Sequence, residues 1–134
     1  MDLTVEKVVI SSDIKNISLI EKLVDDISSQ YDIQSDVYGK LLLAVVEGVN
    51  NAIVHGNKLD SSKNVELEYQ ISDKDIQVVI RDEGNGFDYT KVPDPTLPEN
   101  VEKTHGRGIF LMNHLADEID FEDDGSKVKL TFNL

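Results

Sequence analysis

Residues 41–54, LLLAVVEGVNNAIV, form an almost unbroken apolar run, and inside it stand a carboxylate, Glu47, and an amide, Asn51. Side chains at i and i+4 share one helix face. The two polar groups therefore point the same way from a helix that is otherwise buried. Burying either without a partner costs on the order of 1–3 kcal/mol, and more for the ionised acid. A chain that carries this burden twice on one stripe needs a ligand, a metal or a reacting group to meet it. His55, four residues further on, extends the stripe to the end of the helix.

With 134 residues, 40% of them hydrophobic and 29% charged, the chain reads as one soluble globular domain, 1–134, large enough to bury a core without staples. No run of about 18 apolar residues predicts a membrane span. The N-terminus, MDLTVEK, lacks the order of a signal peptide. No cysteine is present, so disulfide frameworks and thiolate metal sites are excluded, and the expected compartment is the cytoplasm. A formal net charge of −13, from 26 acidic against 13 basic residues with two arginines, argues against nucleic acid, which needs a basic face. The same surplus suits an acidic face that docks a basic partner protein, and it makes any polyphosphate ligand dependent on a cation and a few local donors.

Residues 2–10 read as a strand whose alternation slips from Leu3 and Val5 to Val8 and Ile10, which predicts a bulge. From Asp13, a plausible N-cap, Ile14, Ile17, Leu19, Ile20, Leu23, Val24 and Ile27 recur at helical spacing. Ser35 or Asp36 then caps the Glu47 helix, which ends at His55-Gly56-Asn57. Val65, Leu67, Tyr69 and Ile71 alternate with polar residues, a turn at Asp73-Lys74 follows, and Ile76, Val78 and Ile80 keep the period of two. A last pair of strands flanks Asp124-Gly125, a hairpin signal. The expected fold class is α+β: a two-layer α/β sandwich with a mainly antiparallel, mixed sheet covered on one face by about three helices.

Asp82 continues the parity of Ile76, Val78 and Ile80, so its carboxylate is expected to face the helices and the Glu47/Asn51 stripe. Gly84 and Gly86, in Glu83-Gly-Asn-Gly, let the backbone leave the sheet with dihedrals that glycine adopts easily. Gly106 and Gly108, on either side of Arg107, precede a short apolar helix whose N-terminal N–H groups suit phosphate, with Arg107 adding a charged fork. Between Gly86 and His105 there is no periodicity, and Pro93, Pro95 and Pro98 all fall there, as in a lid. A third glycine of the dinucleotide fingerprint is missing, and GxxxxGK[ST] occurs nowhere.

The order Glu47-x-x-x-Asn51, Asp82-x-Gly84-x-Gly86 and Gly106-Arg107-Gly108 resembles the GHKL (Bergerat-fold) nucleotide-binding family, and NAIVHGN most resembles its anti-sigma-factor serine/threonine kinases. That resemblance implies ATP and Mg²⁺ as cofactors. It implies that Asp82 accepts from the adenine amine and that Gly84 and Gly86 shape the base and ribose side. Asn51 would hold Mg²⁺, Gly106, Arg107 and Gly108 would meet the phosphates, and Glu47 would be the general base. The partners implied are a sequestered sigma factor or analogous regulator and a small antagonist protein that receives phosphate on serine. A homodimer through the sheet is one assembly the family uses. Ser126, inward by parity, matches an adenine-side hydroxyl in some relatives only weakly.

Three alternatives stay open at this level. One is a non-catalytic module in which nucleotide gates partner binding. Another is a stand-alone histidine-kinase catalytic domain, although no phospho-accepting histidine in a dimerisation helix is present. The third, a water-activating ATPase, lacks the transducer domains such proteins add.

Overall fold

Strict alternation of apolar and polar residues gives two strands with one wet and one dry face, β2 (Asn64–Ile71) and β3 (Asp75–Arg81). The computed structural model describes residues 4–86 and 104–134, and of residues 104–107 the backbone alone. Around the β2–β3 pair lie β1 (Thr4–Ser11), β5 (Lys127–Asn133) and β4 (Glu118–Glu122), in the order β1-β2-β3-β5-β4. All four pairings are antiparallel, so the sheet is not mixed, contrary to expectation, among the described residues.

β1 keeps one register from Thr4 opposite Ile71 to Ser11 opposite Asn64, without the expected bulge. The apparent slip has a different origin. Val5 and Val9 face the open side of the sheet, about half exposed, while Val8 and Ile10 face the helices. Leu3 lies outside the described residues.

Among the described residues, three helices cover the other face: α1 (Ile17–Gln30), α2 (Ser35–Asn51) and α3 (Thr104–Leu115). Asp13 caps the short 3₁₀ turn that leads into α1, its Oδ1 accepting from the Lys15 amide at 3.0 Å. Neither Ser35 nor Asp36 caps α2. Gln34 occupies that position with no side-chain bond, and Asp36 sits in the first turn, where its charge favours the helix dipole. Ile20, Val24 and Ile27 of α1, Leu41, Val45 and Val49 of α2, and Ile109 and Met112 of α3 close over Leu67, Val78, Ile80 and Leu130 of the sheet. Each such large side chain contributes about 1.5–3 kcal/mol on burial.

Gly48 lets α2 lie close to the sheet: a β-carbon there would come within 2.6 Å of Ile80 Cδ1 and 3.3 Å of Met112 Sδ. The continuous helical run Ser35–Gly56, 22 residues, is long and apolar enough by composition to cross a bilayer, which the sequence reading did not anticipate. In this fold it is the core helix, between α1, α3 and the sheet.

Candidate functional site

Beyond Asn51, α2 does not stop but widens into a π turn, Ala52–Gly56, closed by the Asn57 amide donating to Ala52 O at 2.8 Å. Such turns are rare and occur frequently at functional sites. Here the turn brings Gly56 against the residue that follows β3. A β-carbon on Gly56 would fall 2.3 Å from Asp82 Oδ2 and 2.8 Å from Oδ1. Asp82 therefore faces the helix layer, at the C-terminal end of the run that carries Glu47 and Asn51. Its amide donates to Ser126 O at 2.9 Å and its Oδ1 accepts from Gly84 N at 2.8 Å, leaving Oδ2 toward Gly56. Burial raises the pKa of Asp82, and the Gly84 N–H, with Lys63, offsets part of that rise.

The two glycines after Asp82 serve different needs. Gly86 has a φ of +80°, in the left-handed region, and lies against Asp124 O. Gly84 is required by space, since a β-carbon there would lie 2.2 Å from Gly56 O.

At the other end of the stripe, a β-carbon on Gly108 would lie 3.2 Å from Glu47 Oε2. Gly106 and Gly108 do not precede α3, as the sequence suggested, but fall in its first two turns. Gly106 keeps the unpaired N–H of a first-turn residue, whereas an N–H at Gly108 belongs to the helix's own ladder. The Arg107 and His105 side chains, and the proline-containing stretch read as a lid, lie outside the described residues.

Between these ends sits Asn51, whose Oδ1 is buried with no hydrogen-bond partner among the described residues. A buried amide oxygen in that state would suit a hard cation such as Mg²⁺ as one of its oxygen ligands. No group of three His, Asp or Glu side chains able to hold a metal occurs among the described residues, so a cation here must draw most of its ligands from elsewhere. Asn51 fits that requirement. From Glu47 to Gly56 the helix spans roughly 13 Å.

His55 lies in the π turn, off the ideal stripe, and burial lowers its pKa. His114 is a surface residue of α3 whose Nδ1 meets Phe110 O at 3.0 Å. The Ser126 hydroxyl donates to Asp123 O at 2.9 Å within its own turn, so the residue serves the site through its carbonyl. The sequence reading missed three contributors: Gly56, Asn57 and that carbonyl. Gly-Asn after the helix end carried a signal for the first two, and a backbone carbonyl carries none.

The chain spans most of the length of the curated relatives it matches. It is 28% identical over 123 residues to the protein named serine-protein kinase RsbW in Staphylococcus aureus strains JH9, Newman and USA300, covering 86% of this chain and 77% of each relative. Residues 10–132 match the histidine kinase-like ATPase domain, a stretch that holds Glu47, Asn51, Asp82 and Gly108. That match runs over most of the chain, and this chain belongs to the histidine kinase-like (GHKL) ATPase family.

Proposed function

We propose that the chain is an ATP- and Mg²⁺-dependent protein serine/threonine kinase of the anti-sigma type, acting in the cytoplasm. In this reading it sequesters a sigma factor or analogous regulator and phosphorylates a serine on a small antagonist protein. The observation that carries it is the orphaned, buried Oδ1 of Asn51, one helical turn from Glu47, on the helix whose end meets Asp82.

Asp82 Oδ2 accepts from the exocyclic amine of adenine, since Oδ1 is already engaged by Gly84. Gly84 and Gly86 flank the base and ribose. Gly106 N–H and the positive end of the α3 dipole receive phosphate oxygens, and the Arg107 guanidinium adds a charged fork. Gly108 leaves the space in which the Glu47 carboxylate stands. Mg²⁺, with Asn51 Oδ1 among its ligands, neutralises phosphate charge when bound. Glu47 takes the proton of the acceptor serine as its Oγ bonds to the γ-phosphorus. The bond from that phosphorus to the β-phosphate oxygen breaks, and ADP leaves with the electron pair. The phosphoserine adds close to two negative charges, and a partner of net charge −13 repels it.

The test is Glu47→Gln with ATP, Mg²⁺ and a candidate small antagonist protein as acceptor. ATP affinity stays within about threefold of wild type while transfer falls by about 10² or more. Wild type that binds ATP and moves no phosphate to that acceptor sinks the kinase assignment.

A further inference from the structure

Asn57 is fully buried, and both N–H donors and the oxygen of its side-chain amide have partners. Nδ2 donates to Ser12 Oγ at 2.7 Å and to Asn64 O at 2.9 Å, and Oδ1 accepts from Glu83 N at 2.7 Å. One neighbour is an N–H and another a carbonyl, so the amide orientation is determined by its partners. The ring closes through Asn64, whose N–H donates to the Glu83 carboxylate. Ser12 in turn donates from Oγ to Lys63 O at 2.8 Å, tying in the end of β1. Segments around residues 12, 57–64 and 83 thus meet on one amide.

The peptide that this amide holds joins Asp82 to Glu83. Asp82 N is held by Ser126 O on one side and Glu83 N by Asn57 Oδ1 on the other. Those two anchors hold the main chain from which the Asp82 carboxylate, its Oδ1 accepting from Gly84 N, stands against Gly56, in the same turn that Asn57 closes through Ala52 O. A buried amide costs on the order of 1–3 kcal/mol unless satisfied, and a core at this position could be built with an apolar residue instead. Asn57 ties together the ends of β1 and β2 through Nδ2, while its Oδ1 is given to the peptide that carries Asp82.

We infer that Asn57 is a positioning residue for purine recognition: through Glu83 N it aims Asp82 at the exocyclic amine of the bound base. This rests on the proposal that the site binds ATP with Asp82 at the base. Asn57 itself touches no nucleotide atom in this scheme.

The discriminating probe is N6,N6-dimethyl-ATP, which lacks the N–H that Asp82 would accept. Affinities of both nucleotides with Mg²⁺ are measured by competition for wild type and Asn57→Ala, with circular dichroism to verify folding. The expected result is about a tenfold loss of ATP affinity, the size of one misaligned hydrogen bond, and less than about a twofold loss for the dimethyl analogue. Equal losses for both nucleotides mean that Asn57 only supports the fold, and they overturn the inference, as does an unchanged ATP affinity. Should Asn57→Ala fail to fold, Ser12→Ala loosens the same amide from the far end. A loss selective for ATP then supports the role, and a uniform loss or none refutes it. Wild type that binds neither nucleotide, or both alike, brings down the ATP reading instead, visible before any Asn57 variant is made.

Discussion

Oε2 of Glu47 stands 3.2 Å from the position a β-carbon on Gly108 would occupy, so the acid of α2 and the glycine of α3 share one space. A side chain larger than hydrogen at 108 would have to push the carboxylate aside by a few tenths of an ångström. The glycine costs α3 up to about 1 kcal/mol in helix propensity relative to alanine. Its retention here is explained by the carboxylate it admits.

Gly108→Ala separates these two roles. The added methyl favours the helix while pushing the Glu47 carboxylate aside by a few tenths of an ångström. We expect a melting temperature equal to or above that of wild type, ATP affinity within about threefold, and phosphotransfer reduced by about tenfold or more. Calorimetry and a radiolabelled transfer assay on one preparation decide it. Full transfer by the alanine variant shows that the close approach has no part in catalysis.

Asp82→Asn tests the acid at the base end through stability. Burial raises the Asp82 pKa above its ordinary value of 3.8. An acid with a raised folded-state pKa is held less favourably as the carboxylate in the fold than in the unfolded chain. That cost is fully present above the folded pKa and is relieved as pH falls toward the unfolded one. Asparagine can still accept from Gly84 N but carries no charge. The variant is therefore more stable than wild type near pH 7, and the gap closes on acidification toward about pH 4. It also binds ATP poorly, a gain in stability at the cost of function. Melting curves across that pH range check the sign, and a wild type that melts higher at neutral pH contradicts it.

Gly48 and Ile80 report on how closely the core helix must approach the sheet. Alanine at 48 places a methyl 2.6 Å from Ile80 Cδ1 and overpacks the core, a net cost of about 1–2 kcal/mol after the helix-propensity gain. Ile80→Val alone costs about 0.5–1.5 kcal/mol through the lost methyl. Combined, the second change removes the atom that the first one strikes, so the double variant is more stable than the sum implies by about 1 kcal/mol. Urea unfolding of the four proteins gives the coupling. Additive losses show that the helix simply shifts away.

Where burial on one face was decisive, local sequence was sufficient. The alternation of Val65, Leu67, Tyr69 and Ile71 specifies a strand, because a one-residue slip would turn that whole set to water. The run of α1 from Ile17 to Ile27 is likewise legible in its 3.6-residue period. β1 misled for the same reason. Val5 and Val9 lie on a sheet face that no helix among the described residues covers, so their apolar character carried no information about burial. The caps of α2 and the start of α3 were misplaced because helix ends depend on which backbone groups find partners, and residue type biases that only weakly.

The chain's order of residues determined which groups are available: an acid and an amide one helical turn apart, an acid at a strand end, and glycines where backbones must pass closely. Helical and strand periodicity are properties of a few consecutive residues, so this much is written locally. Only the tertiary structure decided how those groups are aimed. The π turn after Asn51, the contact of Gly56 with Asp82, and the amide of Asn57 reaching Ser12, Asn64 and Glu83 join segments up to 71 residues apart. Hydrogen bonds across that separation form when packing brings the strand and helix ends together, and no local pattern in the sequence encodes their geometry.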